Sequence, residues 1–91
     1  MPDRSSIEQE WNRRGFGCDL WVDPPGQRWE NFVHRVDELV MVVEGSVEFE
    51  IGGVRQRPEP YVELLISAGV VHSVRNVGQT TAHWLYGYKT R

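Results

Sequence analysis

Two neighbouring stretches of the chain differ in their pattern of polar and apolar residues. Residues 46–51, SVEFEI, alternate strictly, which predicts a strand with one buried face and a solvated face carrying Glu48 and Glu50. Residues 39–43, LVMVV, are all apolar, which predicts a strand covered on both faces. A partner chain is a reasonable source of the second cover, so we expect a homodimer.

Turn residues divide the rest of the chain into short runs rich in Val, Trp, Phe and Tyr. The strongest turn signals are DPPG at 23–26 and the Gly pair at 52–53. Short strands separated by turns at intervals of about 8–12 residues are typical of an all-β sandwich or barrel. Residues 5–14 begin with the spacing of a helix-capping box, Ser5 and Glu8. We therefore expect a helical or irregular N-terminal segment over 1–15 and a β domain over 16–91.

Composition narrows the classes of function. The chain has 91 residues, with 10 Lys+Arg against 13 Asp+Glu and a net charge of −3. The longest basic run is Arg13-Arg14, so the charge pattern of a nucleic-acid-binding protein is absent. No apolar stretch approaches the roughly 20 residues of a membrane span, and the N-terminus lacks the apolar segment of a signal peptide. We expect a cytoplasmic protein in which Cys18, the single cysteine, is a small buried residue without a disulfide.

Two histidines and one glutamate are the candidate chemical groups. His34 and Glu38 have the same parity at the start of the apolar run, which predicts that they share one strand face, and His72 begins a later run in which Asn76 has the same parity as His72. An unpaired carboxylate inside a small apolar barrel is costly, so an inward Glu38 needs a cation, hydrogen-bond donors or a raised pKa. Two imidazoles and a carboxylate form the donor set of non-haem iron sites, and zinc, manganese and nickel accept it too.

Residues 26–45 also carry a recognisable spacing. Gly26 lies in a turn, three residues separate His34 from Glu38, and six separate Glu38 from Gly45. This spacing resembles the first motif of the cupin family, G-x5-H-x-H-x3–4-E-x6-G. Phe32 occupies the position of the motif's first histidine, which removes one donor and adds an aromatic ring.

The second cupin motif, G-x5-P-x-G-x2-H-x3-N, is similar to residues 61–76. Gly69, His72 and Asn76 match its spacing, whereas Ser67 replaces its proline and Tyr61 stands at its opening turn. Tyrosine is uncommon where a turn favours positive φ. The resemblance covers roughly residues 16–88 and implies an antiparallel cupin-type β-barrel, also called a double-stranded β-helix or jelly roll.

The resemblance implies a divalent metal held by His34, Glu38 and His72, with zinc, iron, manganese and nickel not distinguished. The sequence leaves open a metal-free cluster in which a histidine hydrogen-bonds Glu38. Three functions remain: a metal-dependent cupin, a barrel that binds a small molecule without catalysis, and a metal-free site with Glu38 as general base. Cupins catalyse many reactions, so the family names no substrate.

Aromatic residues supply a second hypothesis. Phe32, Trp84 and Tyr86 could wall a pocket for a small apolar or aromatic substrate, or they could simply fill the core. The other tryptophans are expected to cap the barrel or form an interface. We expect His83 at the surface or a dimer face, Asn76 in support of a turn, and no role for the predicted loop at 55–57.

Overall fold

The computed structural model of the chain describes residues 3–90. Within this range lie one helix and eight strands: α1 (Arg4–Arg13), β1 (Asp19–Asp23), β2 (Arg28–Phe32), β3 (Glu38–Glu44), β4 (Val47–Ile51), β5 (Val54–Gln56), β6 (Glu63–Ile66), β7 (His72–Asn76) and β8 (Ala82–Tyr88). Within residues 3–90, no helix has the length and apolar character needed to cross a membrane.

The strands form two antiparallel sheets that pack face to face. One sheet has the order β1-β8-β3-β6 and the other β2-β7-β4-β5. Their inner faces share a core that includes Val40 and Trp84 from the first sheet and Phe49 and Val74 from the second. The prediction of an all-β, antiparallel jelly roll is confirmed, although the described strands form two sheets and not a closed barrel.

The N-terminal helix covers the outer face of β3. Its N-cap is Asp3, whose carboxylate accepts a 2.8 Å hydrogen bond from the amide of Ser6, so the predicted cap at Ser5 was wrong. Ile7 and Trp11 are buried in a second apolar cluster with residues of β3 and β8. The double cover predicted for residues 39–43 therefore comes from the same chain. It no longer argues for a homodimer, which stays a prediction.

The outer face of the second sheet is held by ion pairs. Arg75 contacts Glu48 at 2.9 Å and Glu50 at 2.8 Å, and Arg57 adds a second contact to Glu48 at 3.2 Å. Hydrogen bonds from Arg75 lower the pKa of the Glu48 carboxyl. The predicted solvated face was wrong for Glu48, which is buried. The predicted loop at 55–57 was wrong as well, because its first two residues belong to β5.

Asn76 supports two connections at one end of the sheets. Its side-chain amide donates to the carbonyls of Asp23 at 3.2 Å and Thr80 at 2.9 Å, and its side-chain oxygen accepts from the amide of Gly78 at 3.0 Å. The predicted structural role of Asn76 is confirmed. Cys18 is buried and free, as predicted.

Tyr61 adopts the left-handed conformation that its position in the motif predicts for glycine. Its φ is 69°, a value that costs a residue with a Cβ conformational energy. The amide of Tyr61 donates to the carbonyl of Val42 at 2.8 Å, and its ring packs against the cluster beneath α1. Backbone hydrogen bonding and packing therefore offset the unfavourable φ.

Candidate metal centre

The three candidate ligands come from three different segments. Glu38 is the first residue of β3, and His72 is the first residue of β7 in the opposite sheet. His34 lies in the connection 33–37 between β2 and β3. The prediction that His34 and Glu38 share one strand face was wrong, because β3 begins only at Glu38. Val36, the middle of the three residues between them, is 40% exposed and not inward-facing.

Two hydrogen bonds fasten the His34 connection to the turn that precedes β7. The amide of Gly69 donates to the carbonyl of His34 at 2.8 Å, and the amide of Ala68 donates to Oδ1 of Asp37 at 2.8 Å. Gly69 has φ of 81°, which residues with a Cβ rarely adopt. The glycine of the second motif therefore helps to place His34 beside His72, a role that spacing alone did not reveal.

The ligand atoms converge on one point. Oε1 of Glu38 lies 3.6 Å from Nε2 of His34 and 3.5 Å from Nε2 of His72. The two imidazole rings have centroids 4.9 Å apart. The donor atoms of all three residues lie within 4.8 Å of one another, so one ion could contact all of them.

A backbone carbonyl orients His72. Nδ1 of its ring lies 3.1 Å from the carbonyl oxygen of Val70, an acceptor that only a protonated Nδ1 can satisfy. The neutral ring then carries no proton on Nε2, the nitrogen that faces Glu38. Such a bond to the far nitrogen is the usual support for a metal-bound histidine.

Burial sets the charge of the cluster. Glu38 and His72 are each only 4% exposed. Burial raises the pKa of the Glu38 carboxyl to about 7, because no nearby cation compensates its charge. Burial, and secondarily the repulsion between the two imidazoles when both are protonated, lower the pKa of His34, so this imidazole is mainly neutral at pH 7.

The cluster fits a divalent cation. Within residues 3–90, Oε1 of Glu38 is buried and has no hydrogen-bond partner. A buried acceptor of this kind carries a desolvation cost, and a cation at the convergence point would remove it. Two imidazoles and one carboxylate also match the three-ligand sets of zinc and iron sites that keep an open position.

Aromatic rings form the rest of the cavity around this cluster. The cavity measures about 260 Å³ and is lined by Trp21, Trp29, Phe32, His34, Glu38, His72, Val74, Trp84, Tyr86 and Tyr88. The structure thus brings the predicted pocket residues Phe32, Trp84 and Tyr86 together with the candidate ligands. Tyr88 also places its hydroxyl 3.4 Å from Nε2 of His34, and burial raises its pKa.

The remaining histidine lies elsewhere. Nδ1 of His83 is 3.4 Å from a carboxylate oxygen of Glu44, and both line a groove beside α1 on the opposite face of the sheet. As predicted, His83 is not a fourth ligand of the cluster.

The family follows from comparison with known sequences. Residues 19–88 match the family described as "Cupin domain". The chain belongs to the cupin family. No curated protein matches the chain.

Several solved structures are similar to this chain in fold. A protein from Thermus thermophilus is 28% identical, with a TM-score of 0.76 over 84% of this cupin and 73% of that chain. Oxalate oxidase in complex with the substrate analogue glycolate is 22% identical, with a TM-score of 0.75 over 85% of this cupin and 43% of that chain. A predicted oxalate decarboxylase from Thermotoga maritima is 19% identical, with a TM-score of 0.75 over 91% of this cupin and 74% of that chain.

Phe32 marks the departure of this cupin from the family motif. It pairs with His72 across β2 and β7, and its ring centroid lies 6.3 Å from that of His34 and 6.4 Å from that of His72. A histidine at position 32 would add a donor next to the cluster. In this cupin a 40% exposed phenyl ring stands there instead, at the boundary between the candidate ligands and the aromatic wall.

Proposed function

We propose that this cupin binds one divalent metal ion through His34, Glu38 and His72 and presents it to a small molecule in the aromatic cavity. The observation that carries the proposal is the buried Oε1 of Glu38, which has no hydrogen-bond donor within residues 3–90 and faces two imidazole nitrogens. The structures described as oxalate oxidase and as a predicted oxalate decarboxylase share the fold alone, so the proposal rests on the geometry of the three side chains.

Each ligand has a separate task. Glu38 contributes the negative charge, His72 offers Nε2 because Nδ1 faces the carbonyl of Val70, and His34 closes the cluster from the connection before β3. A bound ion would act as a Lewis acid toward an oxygen atom of the ligand. Tyr88, whose hydroxyl lies beside His34, is positioned to hydrogen-bond a ligand at this end of the cavity.

Metal binding can be tested by thermal unfolding and metal content. At a free Zn²⁺ concentration of about 100 Kd, binding adds about 2.7 kcal/mol to the free energy of unfolding, a rise in Tm of roughly 10–20 °C for a domain of this size. We expect this rise and one retained ion per chain in the wild type, and neither in Glu38→Ala or His72→Ala. His83→Ala is the matched control and should respond like the wild type. No rise with Zn²⁺, Fe²⁺, Mn²⁺ or Ni²⁺ would reject the proposal.

A metal-free function is the alternative. With a pKa of about 7, Glu38 would exchange a proton near neutral pH, which is the property of an effective general base. Metal-free protein should then turn over a substrate with a pH–rate profile governed by one carboxyl group. Activity that disappears on chelation and returns with metal would reject this alternative.

A further inference from the structure

Asp23 receives hydrogen bonds from three tryptophans. Its Oδ1 accepts from Nε1 of Trp21 at 2.8 Å and from Nε1 of Trp29 at 3.1 Å. Its Oδ2 accepts from Nε1 of Trp84 at 3.0 Å. Asp23 is only 3% exposed, and a buried carboxylate needs such donors. The three indoles come from β1, β2 and β8, so one carboxylate ties side chains of both sheets together.

These bonds fix the orientation of the cavity walls. The rings of Trp21 and Trp29 are edge to face, with centroids 5.6 Å apart and an interplanar angle of 79°. The rings of Trp21 and Tyr86 have the same arrangement, with centroids 5.9 Å apart and an angle of 75°. An indole has a single hydrogen-bond donor and no acceptor. Because all three donors are directed at Asp23, the indoles offer only carbon surfaces to the cavity.

We propose that Asp23 is a positioning residue for a rigid aromatic chamber, and that this chamber selects a planar aromatic ligand carrying oxygen donors. The inference rests on the proposed function, because the oxygen donors would face the metal held by His34, Glu38 and His72.

The chemistry of the cavity favours this class of ligand over two others. Cavities of about 150 Å³ accommodate benzene, so a cavity of about 260 Å³ has room for one substituted ring. Among the described residues that line it there is no arginine or lysine to pair with the carboxylate oxygens that a metal-bound oxalate would turn away from the ion. An organic cation would suit aromatic walls, but it would meet the charge of the metal at the other end.

The four indole N–H signals in a ¹⁵N NMR spectrum test this assignment. Trp11 is an internal control, because its indole donates to Glu63 at 2.9 Å outside the chamber. Catechol added to metal-free and to zinc-loaded protein should shift the signals of Trp21, Trp29 and Trp84 and leave that of Trp11 in place. The nonaromatic analogue trans-1,2-cyclohexanediol, oxalate and tetramethylammonium should bind at least about tenfold more weakly. Equal or tighter binding of any of these three would overturn the proposed ligand class.

Two variants test the role of Asp23. Asp23→Asn keeps one acceptor oxygen but turns an amide donor toward an indole N–H, so we expect catechol affinity to fall at least about tenfold. The matched control, Glu63→Gln, weakens the carboxylate–indole bond of Trp11 and should leave affinity unchanged. If Asp23→Asn does not fold, Trp21→Phe removes one of these bonds while keeping a ring, and its affinity should also fall.

Metal content separates this inference from the proposed function. If the wild type and Glu63→Gln retain zinc but catechol does not affect the chamber indoles, the inference is overturned and the proposed metal site is not. If the wild type cannot be loaded with metal and catechol still shifts the chamber indoles, the chamber is supported and the metal function is rejected. Unchanged catechol affinity in both Asp23→Asn and Trp21→Phe would overturn the positioning role of Asp23.

Discussion

Replacing Glu38 with glutamine should stabilise the metal-free protein, although Glu38 is one of its most buried residues. Burial raises the pKa of this carboxyl from 4.5 to about 7. One pKa unit corresponds to about 1.4 kcal/mol, so the ionised carboxylate costs the fold roughly 2–3 kcal/mol after allowance for solvent entering the cavity. Glutamine has nearly the same shape and carries no charge, so Glu38→Gln removes this cost at pH 8.

The free energy of unfolding depends on pH because the folded and unfolded states bind different numbers of protons. Between pH 4.5 and about 7 the folded protein keeps a proton on Glu38 that the unfolded chain has lost. The contribution of Glu38 to the free energy of unfolding is therefore complete below pH 4.5 and is lost as the pH rises through about 7. The free energy of unfolding of Glu38→Gln should be about 2–3 kcal/mol higher than that of the wild type at pH 8, and the two should differ little at about pH 4.5.

Urea unfolding of metal-free protein at the two pH values measures this difference. Glu59→Gln makes the same chemical change at an exposed position and should lie within about 0.5 kcal/mol of the wild type at both pH values. If Glu38→Gln is less stable than the wild type at pH 8, the carboxylate is already compensated within the fold. Glu38 would then need no cation.

Three further substitutions test other parts of the account. Phe32→His should tighten zinc binding at least about tenfold in calorimetry, because it places a third imidazole beside His34 and His72; unchanged affinity would show that position 32 does not face the ion. Tyr61→Gly should be more stable to urea than Tyr61→Ala by about 1 kcal/mol, because only glycine relieves the φ of 69°; the reverse order would contradict the left-handed conformation. Asn76→Ala should cost about 2–4 kcal/mol of unfolding free energy, since three hydrogen bonds are lost at a buried site; a cost below about 1 kcal/mol would contradict their importance.

Motif spacing predicts the fold and the three candidate ligands because each motif lies within a short stretch of chain. The separations between His34, Glu38 and Gly45, and between Gly69, His72 and Asn76, are local properties of the sequence. The convergence of the two motifs depends on contacts between distant segments. The bond from the amide of Gly69 to the carbonyl of His34 is one such contact, and alternation within a strand carries no information about it.

The aromatic chamber could be predicted only in part for the same reason. The sequence predicts Trp84 in the wall of the pocket, but it predicts Trp21 and Trp29 in a cap or an interface. Trp21 pairs with Trp84 across β1 and β8. Trp29, from the other sheet, joins them through Asp23 and through an edge-to-face contact with Trp21. An aspartate in a DPPG turn is ordinarily explained by the turn itself, so its role as a shared acceptor required the tertiary structure.

The helix at the N-terminus shows how an apolar pattern can be explained by more than one partner. A strand that is apolar on both faces requires two covers, and the pattern does not identify them. Trp11, at 1% exposure, provides the second cover from a segment only about 30 residues away in the sequence. Its indole bond to Glu63 of β6 fixes the helix on the sheet.

X-ray absorption at the zinc edge, on wild-type protein loaded with Zn²⁺ and dialysed, identifies the side chains that bind the ion. We expect one zinc per chain with two imidazoles and a carboxylate oxygen at about 2.0–2.2 Å, and loss of that zinc in His72→Ala. The chain contains three histidines, so the number of imidazoles discriminates between sites. Failure to retain zinc, or a zinc bound through His83 and unaffected by His72→Ala, would rule out a metal site at His34, Glu38 and His72.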